Sequence, residues 1–491
     1  MFGLRTFAPA NRCYMLFRLL FICLTLFALG TVRAQDSYRI AVDIEGYESD
    51  ILTLGYYLLD NQYIVDTASR SPQGNFVFAS DTSALPKGIY LVVLSPDNGF
   101  FQLLIGDDDD QRFSVKTQVS DLDDVTIEGS EENELFYGYL AFLDQMTKES
   151  QPIRAALSDT TLAPAASAQA RSEMEALDKR VKTYQAELID RHPEAFVSAI
   201  IRANRPALPP DFPEASDEEA RRELQWRWLQ RHYFDNVDLT DERLLRTPFL
   251  FQRIDYYINT LQVKHPDTLA AAIDRVLEKF DPTSEAFKYF TVHYTNEAAT
   301  SNIVGMDALY VHMVDRYYRG GKAYWADEAQ LAKMVATAEE LRPLLIGKQA
   351  PNLHMTTRRG EPIDLYDIDD DYTVLYFWRY DCAACKRSTP FMKEFYEKWK
   401  DRGVTVFSVC TKGEDELGEC WEYVDEQGTG DWVQVADPYQ RYYKAYDIKS
   451  TPAIFLLDRD KTIVSKRISA EQLDEVLTAI TAEKETAAAG E

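Results

Sequence analysis

The chain has 491 residues, enough for several domains, and carries 53 lysines and arginines against 80 aspartates and glutamates, a net charge of −27. Such an acidic surface repels phosphate groups, so we expect no nucleic-acid partner and no attraction to anionic membranes. Six cysteines in 491 residues also exclude a scaffold of disulfides spread along the chain.

Residues 1–34 have the pattern of a signal peptide. Three arginines precede or flank an apolar run at residues 19–29, and Val32-Arg33-Ala34 provides small residues for cleavage. The run is too short to span a bilayer comfortably, so we expect export to the periplasm or cell envelope without stable membrane insertion. Cleavage would remove four arginines and no acidic residue, which leaves a net charge of −31.

The segment 35–128 alternates apolar and polar residues with a period of two, which is typical of half-buried strands. The first such stretch is Tyr38, Ile40, Val42 and Ile44. We predict a small antiparallel β-sandwich here. Four consecutive aspartates, Asp107 to Asp110, fit a solvated turn better than a calcium site, because consecutive side chains point apart.

The segment 129–345 changes to a helical period and predicts an all-α domain. One apolar stripe is Met174, Leu177, Val181, Tyr184 and Leu188. Four prolines between Pro206 and Pro213 interrupt the helical pattern and predict a linker or rigid loop. The six histidines are scattered without a zinc-binding spacing, so we expect no metal site.

The segment 346–485 alternates predicted strands and helices, which indicates an α/β fold with a mixed sheet. The predicted strands are 373–378, 404–410, 453–458 and 462–466. One predicted helix begins at Cys382, and three others occupy residues 416–426, 439–446 and 470–480. Residues 486–491 are expected to be a disordered tail.

Cys382 and Cys385 form a Cys-Ala-Ala-Cys motif directly after a predicted strand. The first cysteine then lies at a helix N-terminus, where unpaired N–H groups and the helix dipole stabilise a thiolate. Cys382 is therefore the expected nucleophile. Cys385 lies one helical turn further on the same face and is the expected resolving thiol. A structural zinc site or an inert disulfide are the alternatives, but zinc would need a second pair of ligands.

Several motifs around this pair resemble those of the thioredoxin superfamily, and more specifically its exported TlpA/ResA branch. They are Phe377-Trp378, Ser450-Thr451-Pro452, Gly347-Lys348-Gln349-Ala350-Pro351-Asn352, Asp437-Pro438 and Ala445-Tyr446-Asp447-Ile448. The resemblance implies a thioredoxin-like fold and thiol-disulfide exchange with substrate proteins, without a cofactor. It also implies that Pro452 is cis and that the backbone of Thr451 pairs with an extended substrate. The complete layout is similar to that of multidomain envelope proteins of Bacteroidetes.

The motif departs from its relatives at positions that affect proton transfer. Asp381 precedes the first cysteine, and its charge should raise the pKa of the adjacent thiol, whereas Arg379, Lys386 and Arg387 act in the opposite direction. A glutamate common in the TlpA/ResA branch is replaced by Ser388. The buried acid of thioredoxin is replaced by Tyr376.

Cys410 and Cys420 leave three alternatives open: a structural disulfide, two free thiols or a second redox pair.

For the whole protein, the leading hypothesis is an oxidoreductase of protein disulfides, with a membrane electron donor as a further partner. The alternative is a non-enzymatic envelope binding or assembly protein with a redox-inert domain. Dimerisation of the helical region would favour an isomerase. A peroxidase is disfavoured because the P-x-x-x-T-x-x-C motif is missing around Cys382.

Overall fold

The computed structural model describes residues 38–106, 111–159, 161 and 163–489. The predicted signal peptide and the aspartates at 107–110 lie outside these residues. The chain divides into two compact units, Met1–Ile254 and Asp255–Glu491.

The first unit begins with a β-sandwich of two four-stranded sheets, ordered β4-β1-β7-β8 and β3-β2-β5-β6. The strands are β1 Tyr38–Glu45, β2 Ile51–Leu58, β3 Asn61–Ser69, β4 Phe76–Ser80, β5 Gly88–Leu94, β6 Gly99–Ile105, β7 Arg112–Gln118 and β8 Asp121–Glu128. Buried residues of both sheets, such as Ile40, Leu54, Tyr90 and Val115, share one core. The predicted sandwich is confirmed.

One strand pair differs from the predicted antiparallel arrangement. β1 and β7 run parallel, with Ile40 opposite Phe113, while the other neighbouring strands are antiparallel. Five strands lie between β1 and β7 in sequence, so no hairpin forces them to be antiparallel. Period-two alternation cannot distinguish the two directions, because it reports only which face is buried.

Helices complete the first unit. They are α1 Glu131–Ser158, α2 Pro164–Arg191, α3 Phe196–Asn204 and α4 Glu218–His232, and α5 Pro248–Asn259 passes into the second unit. Ser130 caps α1, accepting a hydrogen bond from the N–H of Asn133. The four prolines between Pro206 and Pro213 lie in the loop between α3 and α4, as predicted.

The second unit continues with α6 Pro266–Leu277, α7 Glu285–Thr300, α8 Asp307–Met313 and α9 Glu328–Leu341. A π-helical turn, Val314–Arg319, extends α8. None of the described helices is both long and apolar enough to cross a bilayer.

A seven-stranded mixed sheet, ordered β10-β9-β13-β12-β11-β14-β15, forms the rest of the second unit. Its strands are β9 His354–Thr357, β10 Pro362–Asp364, β11 Tyr372–Trp378, β12 Val404–Cys410, β13 Val433–Ala436, β14 Ala453–Asp458 and β15 Ile463–Lys466. Its helices are α10 Ala383–Trp399, α11 Leu417–Gln427, α12 Tyr442–Ala445 and α13 Leu473–Ala489. The predicted α/β fold is confirmed, and α13 extends into the segment predicted as a tail.

The central strand β11 is buried along its whole length. Val374 and Tyr376 belong to the core on one face of the sheet, and Leu375 and Phe377 belong to the core on the other. Because both faces are covered, the strand is a continuous apolar run. This rigid strand ends at Trp378, just before the cysteine pair.

Candidate active site

Cys382 occupies the N-cap position of α10, in an extended conformation with φ −87° and ψ 114°. Its sulfur accepts a hydrogen bond from the backbone N–H of Cys385 at 3.2 Å. Its carbonyl accepts a hydrogen bond from the N–H of Lys386 at 3.0 Å, the first bond of the helix. The helix N-terminus thus offers an N–H group to the sulfur, which is the arrangement that stabilises a thiolate.

The two thiols have opposite environments. Cys382 is half-buried, whereas Cys385 is fully buried. Burial alone would raise the pKa of Cys382, but hydrogen bonds from the Cys385 thiol and N–H, the Thr451 side chain and the Ala384 N–H bring it below its ordinary value. Burial, together with the hydrogen bond to Cys382, raises the pKa of Cys385 to about 12. At neutral pH, Cys382 is therefore the thiol that more readily ionises.

Thr451 and Pro452 lie against the cysteine pair. The thiol of Cys382 donates a hydrogen bond to the carbonyl oxygen of Thr451 at 3.3 Å. The Thr451–Pro452 peptide bond is cis. The sheet explains this proximity, because β14 begins at Ala453, which pairs with Phe377 near the end of β11. Residues that are 69 positions apart are thus adjacent where β11 ends and β14 begins.

The charge of Asp381 is balanced by two cations. Arg379 donates two hydrogen bonds to its carboxylate, at 2.6 and 2.8 Å, and Lys412 donates a third at 3.1 Å. These contacts, led by the one with Arg379, lower the pKa of Asp381 to about 2 despite partial desolvation. The expected effect of Asp381 on Cys382 is therefore offset. Of the three cations that sequence analysis named as opposing Asp381, Arg379 makes this contact, whereas Lys386 and Arg387 are exposed on the first turns of α10.

Lys412 is the site residue that sequence analysis missed. Its ammonium contacts Glu416 at 2.6 Å as well as Asp381, and lies 5.0 Å from the ring centre of Tyr380. Only 12% of its side chain is exposed. Lys412 follows β12, the neighbour of β11, so the strand order brings it to Asp381. No local motif could have indicated this contact.

Hydroxyl groups lie near Cys385. Thr389 donates to the carbonyl of Cys385 at 3.0 Å and shares a 3.0 Å hydrogen bond with the hydroxyl of Tyr423. Tyr376 is buried, and among the described residues no group has hydrogen-bond geometry to its hydroxyl. Burial, with Cys385 as the next contribution, raises the pKa of Tyr376 well above its usual value. Ser388, at the position of the missing glutamate, is also buried.

Cys410 and Cys420 form a disulfide, and both residues are fully buried. Cys410 pairs with Trp378 in the sheet, and the disulfide ties the end of β12 to α11. Of the three alternatives left open by the sequence, the one in which both cysteines are free thiols is thus excluded. The disulfide belongs to the same core as Cys385.

Potential metal ligands are grouped away from the cysteines. Among the described residues, Asp255, His293 and Glu297 have ligand atoms within 4.8 Å of one another. Asn259 donates its amide hydrogens to both carboxylates and accepts a hydrogen bond from Lys264. Both carboxylates of this group therefore already accept a hydrogen bond from Asn259.

Two family models match the chain. Residues 346–466 match the AhpC/TSA family, and residues 142–342 match a domain of unknown function, DUF5106.

Similarity to curated proteins concerns the C-terminal part. The thiol-disulfide oxidoreductase ResA of Bacillus thuringiensis (strain Al Hakam) is 32% identical over 139 residues, which are 28% of this chain and 79% of the relative. The protein of the same name from Bacillus subtilis (strain 168) is 28% identical over 118 residues, 24% of this chain and 64% of the relative.

Solved structures include a domain of a possible thiol-disulfide isomerase from Cytophaga hutchinsonii, 35% identical, covering 29% of this chain and 98% of that one, with a TM-score of 0.28. A thioredoxin-like protein from Bacteroides caccae is 21% identical and covers 56% of this chain and 99% of that one, with a TM-score of 0.43.

Proposed function

Because the chain belongs, through its C-terminal domain, to the ResA family of thiol-disulfide oxidoreductases, we propose that Cys382 and Cys385 exchange disulfides with protein substrates in the cell envelope. The observation that carries this proposal is the contrast between the two thiols. The pKa of Cys382 is lowered at a helix N-terminus, and that of Cys385 is raised by burial.

The first step is attack by the Cys382 thiolate on one sulfur of a substrate disulfide. A bond forms between Cys382 and that sulfur, the substrate S–S bond breaks, and the second substrate sulfur leaves as a thiolate. The N–H of Cys385 holds the charge of Cys382 before the attack. The carbonyl of Thr451 accepts a hydrogen bond from the Cys382 thiol. Its position marks where an extended substrate would align its backbone.

The second step is attack by Cys385 on the sulfur of Cys382. This forms the Cys382–Cys385 disulfide and releases the other substrate sulfur as a thiolate, so two electrons pass from the protein to the substrate. Cys385 must lose its proton for this step, and the substrate thiolate released in the first step or solvent accepts it. The raised pKa of Cys385 keeps it protonated while Cys382 attacks the substrate. The reverse sequence oxidises a substrate dithiol. The direction follows the reduction potential of the pair relative to that of its partner.

Export by the signal-like segment 1–34 would place the pair in the periplasm or envelope, where disulfides persist. A dithiol donor in the membrane would restore the reduced pair. The sandwich would comprise residues 35–128, the helical region residues 129–345 and the catalytic domain residues 346–485. The exchange itself requires no cofactor or metal.

Trapping of the mixed disulfide tests this function. The chain without residues 1–34, carrying Cys385→Ala, is mixed with insulin as a protein that contains disulfides. We expect a covalent adduct between Cys382 and an insulin cysteine, which mass spectrometry identifies and reductant releases. The matched variant Cys382→Ala should form no adduct. Adducts of equal yield in both variants would refute the assignment of Cys382 as the nucleophile.

A further inference from the structure

A cavity of about 340 Å³ lies in the second unit beside the loop that leads to Thr451. Asp447 and Lys449, which precede Thr451 in sequence, form part of one wall. The segment 301–305 after α7 contributes to another wall. This volume is in the range of sites that bind small ligands or single side chains.

The lining of the cavity has an excess of positive charge, although the chain as a whole is strongly acidic. Three cations and two carboxylates line it: Lys449, Lys466, Arg467, Asp307 and Asp447. The ammonium of Lys466 is buried and is held by Asp307 and by the carbonyl of Leu344. The pair of Lys466 and Asp307 is neutral overall. The excess positive charge therefore lies on the group of Lys449, Arg467 and Asp447.

Asp447 is shared by two cations. Lys449 lies 3.0 Å and Arg467 lies 3.4 Å from the same carboxylate oxygen. The side chain of Asp447 is only 11% exposed, whereas those of Lys449 and Arg467 are 71% and 54% exposed. One carboxylate can neutralise only one of the two cations, so this group carries a net positive charge that is accessible from solvent.

An apolar surface borders the same cavity. Ile303 is 50% exposed and Val304 is 38% exposed, and both line it. Exposed apolar side chains beside accessible cations suit a ligand that has both apolar and anionic groups. A stretch of polypeptide containing aspartate or glutamate has this chemistry.

We propose that this cavity binds a carboxylate-bearing stretch of the substrate polypeptide while Cys382 attacks the disulfide of that polypeptide. The inference rests on the proposed function and adds a preference for acidic substrates. Lys449 is two residues from Thr451, no more than about 7 Å along the chain. An extended substrate advances about 3.3 Å per residue, so an acidic side chain roughly two to four residues from the substrate cysteine would reach the cavity.

The test compares peptides that differ in one charge. Each peptide has a single cysteine in a mixed disulfide with thionitrobenzoate and carries either Asp or Asn three residues from that cysteine. Attack by the reduced chain without residues 1–34 releases the coloured thiol, which gives a second-order rate constant. At low ionic strength we expect the Asp peptide to react about three to ten times faster than the Asn peptide, and the ratio to fall towards one in high salt.

Variants that remove one or two charges show where the preference arises. Lys449→Gln combined with Arg467→Gln should bring the Asp-to-Asn ratio close to one, and each single substitution should lower it in part. Lys444→Gln removes the same charge from an exposed position of α12 outside the cavity, and should leave the ratio unchanged. Thermal unfolding checks that the double variant is folded, and the single variants replace it if it is not.

The outcomes separate the two proposals. A ratio of one in the unsubstituted chain would overturn the acidic subsite while leaving disulfide exchange intact. Failure to release the coloured thiol from either peptide would instead overturn the proposed function.

Discussion

The ammonium of Lys412 lies 3.1 Å from the carboxylate of Asp381, the residue immediately before the reactive cysteine. Lys412 is largely buried, so solvent screens this ion pair less than a fully exposed one. Lys412 and Arg379 together compensate the negative charge of Asp381 and lower the pKa of its carboxyl group to about 2.

Replacing Lys412 with glutamine should slow the reaction of Cys382. Without its ammonium, the charge of Asp381 is less compensated, and the pKa of Cys382 rises. We expect the rate of alkylation by iodoacetamide at pH 6.5 to fall about two- to fivefold, in keeping with the strength of a partly exposed ion pair. The comparison variant is Lys386→Gln, whose side chain is exposed, and its effect should be smaller. An equal or larger effect of Lys386→Gln would contradict the role given to Lys412.

The two thiols should titrate in different pH ranges. In the reduced protein with both cysteines present, alkylation of Cys382 should increase at a lower pH than that of an ordinary cysteine. Cys385 should stay unreactive over the same range, because burial and its hydrogen bond to Cys382 raise its pKa to about 12. Rates measured by mass spectrometry between pH 5 and about pH 10 test this order. Similar profiles for both thiols would show that burial does not distinguish them.

Stability of the reduced protein should also depend on Cys385. Its pKa is higher in the folded state, about 12, than in an unfolded chain, where it is about 8.5. The neutral thiol therefore favours folding at pH below about 8.5, and this contribution is lost as the pH rises towards 12. The difference in free energy of unfolding between the reduced protein and its Cys385→Ala variant should shrink over this range. A difference that is constant with pH would oppose this assignment.

The Cys410–Cys420 disulfide should stabilise the fold without taking part in exchange. It closes a loop across a sequence separation of 10 residues. Loop entropy alone predicts that the free energy of unfolding falls by about 2 to 3 kcal/mol when both cysteines are replaced by alanine. Urea unfolding measures the loss, and insulin reduction measures activity, which should remain. Loss of exchange in a variant that is still folded would instead favour a second redox pair.

The hydroxyl of Tyr376 should be dispensable. It is buried, and the described part of the chain offers it no group in hydrogen-bond geometry. Tyr376→Phe therefore removes an unsatisfied polar group and should leave stability unchanged or raise it by up to about 1 kcal/mol. The rate of the second step should not change. Thr389→Val is the informative comparison, because the Thr389 hydroxyl bonds both Tyr423 and the backbone of Cys385. A large decrease in rate for Tyr376→Phe would identify this hydroxyl as a proton carrier.

The sequence allowed the cysteine pair and its neighbours to be predicted because their geometry is local. Cys382 and Cys385 are one helical turn apart, and Thr451 lies just before a strand beside β11. Lys412 could not be predicted, since its contact with Asp381 depends on the order of strands. The parallel pairing of β1 with β7 could not be predicted for the same reason. The strands β9, β10 and β13 have only three or four residues, too few to show a period.

The central claim is that Cys382 and Cys385 form one reversible redox couple. The most direct measurement is the fraction of the Cys382–Cys385 disulfide in the chain without residues 1–34 at equilibrium with glutathione buffers, determined by mass spectrometry after alkylation. We expect a single two-electron transition that is absent from the Cys382→Ser variant, while the Cys410–Cys420 disulfide stays intact. No transition, or the same transition in the variant, would contradict the claim.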